Sequence, residues 1–84
     1  MAWAVTYDHL EDRARLFGRY KAEDRRELRY AFRLYDDDDN LCYSGVSSDR
    51  DSEKAFAPLD YCTEAYGCTR IDYLQDDDET WETL

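Results

Sequence analysis

Very little in this chain breaks or staples a backbone. Among 84 residues there is one proline, and the three glycines, Gly18, Gly45 and Gly67, each stand alone. No glycine-rich loop is present that would cradle a phosphate. Histidine occurs once, at His9, and lysine twice, which leaves little material for a general base or a cationic substrate clamp. The three cysteines, Cys42, Cys62 and Cys68, are odd in number and form no CxxC pair, so neither a disulfide framework nor a zinc knuckle is indicated. They read as buried thiols acting as small apolar side chains. A Cys62–Cys68 disulfide is open by spacing but disfavoured in a reducing cytosol. No apolar run approaches the roughly 18 residues of a membrane span. The opening "MAWAV" lacks a basic n-region, and its apolar run stops at Thr6. The expectation is a soluble, cytoplasmic protein without a cofactor and without membrane association.

What the chain has in excess is acid and aromatic surface. It carries 21 acidic and 11 basic residues, a formal net charge of -10. Charge that high raises the question of disorder, but 43% hydrophobic and 15% aromatic residues are enough to close a small core. The length allows one domain, residues 1–84, with an acidic skin.

The charge is unevenly spread. Residues 1–33 hold eight basic and six acidic side chains, net +2, and residues 34–84 hold three basic and fifteen acidic, net -12. The first part is arginine-rich and mixed; the second is a concentrated anion. Such a field repels nucleic acid and anionic membranes and attracts basic surfaces, so direct nucleic-acid binding is not expected.

Hydrophobic patterning gives the elements. "AWAVTY" alternates, with Trp3, Val5 and Tyr7 on one face, and predicts a strand. In "DHLEDRARLFG", Asp8 is placed to cap a helix with Glu11 reaching back, and Leu10, Ala14 and Phe17 follow at helical spacing before Gly18. Residues 19–27 are charged at most positions and suit a loop or another helical turn. "LRYAFRLY" (28–35) and "LCYSGV" (41–46) read as a hairpin around the turn "DDDDN", because Asp and Asn bond their own backbone in turns. Asp51 or Ser52 is placed to cap a short helix that buries Ala55 and Phe56, with Pro58 ending that turn or opening another. "CTRIDYL" (68–74) alternates, "QDDDE" is a second acidic turn, and "TWETL" returns as a final strand. The two hairpins share one plan: aromatic and leucine, acidic tip, apolar return. The fold class that follows is α+β, a small antiparallel sheet of about four to five strands with one or two short helices.

The acidic runs do not fit known chemistry. An EF-hand loop begun at Asp36 meets Leu41 where glycine is needed and Ser47 where glutamate is needed. Carboxylates side by side on a turn share one solvated environment, whereas acid–base catalysis needs environments that differ. His9 with Cys62 or Cys68 has no spacing that supports a nucleophilic pair. No enzyme is expected. Two readings remain. In one, the acidity is that of a solvated turn in an acidic protein–protein interaction module or a halophile-type soluble domain. In the other, the carboxylates imitate DNA. A DNA strand carries a phosphate about every 3.4 Å of rise, and a β-strand rises about 3.3 Å per residue. Asp36, Asp37, Asp38, Asp39, Asp72, Asp76, Asp77, Asp78, Glu79 and Glu82 would form a row if the two tips lay on one edge. Asp49, Asp51, Glu53, Asp60 and Glu64 would extend it, and Tyr35, Tyr43 or Tyr66 would add apolar anchors.

The segments "FRLYDDDD", "CYSG", "DSEKAFAPLD" and "GCTRIDY", with the closing Trp and Leu, resemble small acidic proteins of phages and mobile elements over residues 32–84. Some members of that group are anti-CRISPR or anti-restriction proteins that mimic DNA. The resemblance implies an inhibitor acting in the cytoplasm of a host bacterial cell. Its partner would be the basic DNA-binding surface of a CRISPR effector or other defence nuclease. A type I Cascade complex, with its lysine- and arginine-rich groove for the protospacer-adjacent motif, is the preferred target.

Overall fold

Period-two stretches become strands, and one more strand forms where the helical spacing pointed to a helix. A computed structural model describes all 84 residues. Its strands are β1 (Trp3–Asp8), β2 (Arg13–Arg19), β3 (Tyr30–Tyr35), β4 (Leu41–Ser47), β5 (Arg70–Leu74) and β6 (Trp81–Thr83). They form one antiparallel sheet in the order β2-β1-β4-β3-β5-β6. A 3-10 turn (Ala22–Glu27) lies in the β2–β3 connection, and a second (Glu53–Phe56) runs into the helix α1 (Ala57–Tyr66). The architecture is α+β, with six strands.

Residues 8–18 correct the helical reading. Asp8 does not cap a helix. Its Oδ1 accepts from Leu10 N at 2.9 Å and Glu11 N at 3.1 Å, which closes the turn between β1 and β2. The spacing of Leu10, Ala14 and Phe17 fits a helix, but the alternation of Arg13, Arg15, Phe17 and Arg19 fits a strand as well, and tertiary packing decides. As a strand, β2 sets the Phe17 ring between Trp3, Tyr43 and Tyr66, at centroid distances of 6.4, 5.9 and 5.8 Å. Gly18 stops nothing; it sits opposite Ala4 in the ladder. A bulge between Val5 and Tyr7 shifts the register of β1 against both neighbours. It takes Tyr7 off the face of Trp3 and Val5 and turns Asp8 inward, where it is 1% exposed.

One sheet face is covered by α1. Trp3, Val5, Phe32, Leu34, Tyr43, Ile71 and Tyr73 are buried there with Ala55, Cys62 and Cys68. Ser52, not Asp51, caps the helical segment by accepting from Lys54 N. Pro58 stands in the first turn of α1, where a missing N–H goes unused, and left-handed Gly67 ends the helix. The three cysteines are free, buried thiols. Burial pushes Cys42 up to about 11. The Cys62 thiol beside it, then burial, push Cys68 up as well. Both stay protonated, as packing groups do.

Candidate functional site

Strand direction decides where the acidic residues go. Tyr35 at the end of β3 lies opposite Arg70 at the start of β5, and Phe32 lies opposite Tyr73. The turn after β3 and the turn after β5 therefore project from opposite ends of the sheet. Asp36, Asp37, Asp38 and Asp39 share their end with the β1–β2 turn, which carries Glu11 and Asp12. Asp76, Asp77, Asp78 and Glu79 share the other end with Asp49 and Asp51, whose loop is tied to them by Arg50. The single row on one edge does not form; there are two separate anionic ends. Asp60 and Glu64 are exposed on α1, apart from both tips.

Within each end, one aspartate closes the turn. Asp36 accepts from Asn40 N at 3.0 Å, Asn40 Nδ2 at 3.2 Å and Asp38 N at 2.9 Å. The Asn40 amide, then its carboxamide and the Asp38 amide, hold Asp36 below the usual carboxylate range. Asp77 does the same in the second hairpin, accepting from the Thr80 hydroxyl, Thr80 N at 2.8 Å and Glu79 N at 3.0 Å. These bonds, the hydroxyl's foremost, bring Asp77 down to about 2. Asp49 repeats the device with Ser52 and the amides of Asp51 and Ser52, and is likewise lowered. Asp39 and Asp78, at φ 61° and 56°, take the left-handed position that ends each hairpin turn. The shared plan read from the sequence is thus a shared turn chemistry.

The remaining carboxylates divide into clamped and free. Asp39 meets Arg70 Nη1 at 2.6 Å, and Asp76 meets Arg50 Nη2 at 2.7 Å. Asp72, expected in the same row, is 8% exposed. It accepts from the Thr83 hydroxyl at 2.6 Å and lies 3.2 Å from Arg70 Nε, at an angle that makes this contact Coulombic rather than a hydrogen bond. Asp37, Asp38, Asp78, Glu79 and Glu82 are exposed and pair with no cation. Of the three tyrosines expected as anchors, Tyr43 is buried in the core at 2% exposure. Tyr35 is half-buried beneath the Arg70 guanidinium, 4.1 Å from its ring centre. Tyr66 remains exposed on α1.

The open sheet face holds groups that the pattern reading passed over. Arg33 stacks on Trp81 at 4.0 Å, beside the Arg70–Tyr35 pair. His9 Nε2 is 2.9 Å from Ser44 Oγ, and the Tyr7 hydroxyl donates to Asp12 at 2.5 Å. None of the surface depressions is lined by His9 or Ser44, so this pair has no substrate pocket around it. The only sequence signal for it was the position of Ser44 two residues from Val46 on an alternating strand. No group of three or more His, Cys, Asp or Glu side chains is placed to hold a metal ion, and no helix is long and apolar enough to cross a membrane. Comparison with family models, with curated proteins and with solved structures returned no match for this chain.

Proposed function

We propose that this protein is an inhibitor that occupies a basic DNA-binding groove of a bacterial defence nuclease complex in place of DNA. An anti-CRISPR role against a type I Cascade-type complex, at its protospacer-adjacent-motif groove, is the preferred form. The observation that carries the reading is the surplus of charge at the hairpin tips. Asp36 and Asp77 close their turns by themselves, yet Asp37, Asp38, Asp78 and Glu79 add unpaired carboxylates that repel one another and hold nothing together. Repulsion retained without a structural return suits a surface whose partner is cationic.

The mimicry takes a different shape from a single row. Two anionic ends stand in for phosphates at two separate places in the groove, and the groove releases its counterions to them as it does to DNA. Asp36 and Asp77 act here as supports for the tips rather than as contacts.

The test separates the ends. Asp37→Asn with Asp38→Asn neutralises one tip, and Asp78→Asn with Glu79→Gln the other, leaving both turn-closing aspartates in place. Asn keeps the left-handed position of residue 78 accessible. Inhibition of DNA binding by a Cascade-type complex is measured at low salt. Each double variant is expected to weaken inhibition by about tenfold or more while retaining the parent fold. Full inhibition by both variants would return the acidity to a role in solubility.

A further inference from the structure

One free edge of the sheet carries arginine and no acid. β2 pairs with β1 on one side and with nothing on the other. Its seven residues, "RARLFGR", contain no acid and no proline. An edge of this length presents a row of unpaired backbone donors and acceptors that another strand can join. The opposite edge, β6, has only three residues and carries Glu82.

The two faces of β2 differ in chemistry. Phe17 faces the helix-covered side, so Arg13, Arg15 and Arg19 share that side with it. Arg15 lies 5.0 Å from the Phe17 ring centre and 5.4 Å from that of Tyr66, with Nη1 3.6 Å from the buried Asp8 carboxylate. Arg13 Nε meets the exposed Glu11 at 2.9 Å, and Arg19 pairs with no acid. Ala14, Leu16 and Gly18 occupy the other side. Leu16 is 62% exposed. It borders a depression of about 340 Å³ shared with Ala4, Val46, Tyr20 and Leu28, and with Thr6 and Arg25.

A second copy is a poor occupant. Antiparallel pairing of two β2 strands about Leu16, the register of greatest overlap, sets Arg13 of one copy opposite Arg19 of the other, and like charges facing across a ladder destabilise it. An acidic strand brings opposite charge to these positions, most directly to Arg19, and competes with the exposed Glu11 for Arg13. We infer that the β2 edge is a docking site for an extended partner segment of alternating acidic and apolar residues. Its backbone continues the sheet, its carboxylates face Arg13, Arg15 and Arg19, and its apolar side chains cover Leu16 and the depression beside it. The arginines act as a filter, turning away basic strands and further copies of this chain. The inference does not use the hairpin tips and stands apart from the reading above.

The probe is a capped seven-residue peptide alternating glutamate and valine, titrated into the isotope-labelled full chain and followed by amide chemical shifts and hydrogen exchange. Saturable shifts are expected at residues 13–19, with exchange of their amides slowed. Binding should be about tenfold or more weaker for a lysine–valine peptide of the same pattern and for a glutamate–valine peptide in scrambled order. Arg13→Glu with Arg19→Glu changes two exposed side chains and should reverse the preference between the glutamate and lysine peptides. The inference is overturned by an absence of β2 shifts at millimolar peptide, by equal binding of the lysine peptide, or by shifts centred elsewhere. β2 amides that change on dilution without peptide would mark pairing with a second copy and overturn it too.

Discussion

At Asp77 a carboxylate in a run of like charges has a local reason to be where it is. Its bonds to Thr80 and Glu79 hold it at about 2 in the folded chain, against about 3.9 for an unperturbed aspartate. A folded value below the unfolded one means that the stabilisation is complete above the unfolded value and is lost as pH falls through the folded one. In urea unfolding, the gap in midpoint between the parent and Asp77→Ala should therefore be constant near neutral pH. It should narrow as pH drops from about 4 towards about 2. Taking the difference removes the general relief of charge repulsion on acidification, which both proteins share. A gap that is absent at neutral pH, or that widens on acidification, would contradict this role. Asp36 and Asp49 are lowered by the same kind of bonds and act with the same sign.

Among the elements, β4 shows how tightly local sequence and sheet order are tied. Gly45 lies opposite both Val5 and Phe32 in the middle of the sheet. A Cβ there would stand 2.0 Å from the Ala4 carbonyl oxygen and 2.7 Å from Phe32 Cζ. The Phe32 ring fills the space that a side chain would take. Gly45→Ala should cost about 3 kcal/mol or more in chemical denaturation, since backbone as well as ring must move. A cost under about 1 kcal/mol would show that β1 and β4 are less closely packed than described. The strands β3 to β6 were legible because Tyr30, Phe32 and Leu34, then Ile71 and Tyr73, keep one face apolar without interruption, and because the turns carry Asp and Asn where turns need them. β2 was not legible, since its residues satisfy both periods and only the packing of Phe17 chooses between them. The inward turn of Asp8 was hidden for a similar reason: a bulge is set by two neighbouring strands at once, and a single strand's pattern does not carry it.

At the level of the whole molecule, the position of the acids depended on which strand neighbours which. The two tips carry four acids each, and nothing local says that they project in opposite directions. That follows only from β5 running antiparallel beside β3. Asp72 has the composition of a site residue, but its place between Thr83 and Arg70 makes it part of the sheet. What survives is a molecule with net charge -10, two anionic ends and one basic edge. Its field should speed encounter with a basic groove at low salt and lose that advantage as salt rises. The most direct measurement is equilibrium competition with target DNA for a purified Cascade-type complex, at two salt concentrations. This protein and DNA are expected to exclude each other with a stoichiometry of one per groove, and both affinities to fall as salt increases. Simultaneous binding of the protein and DNA, or an absence of binding at low salt, would contradict it.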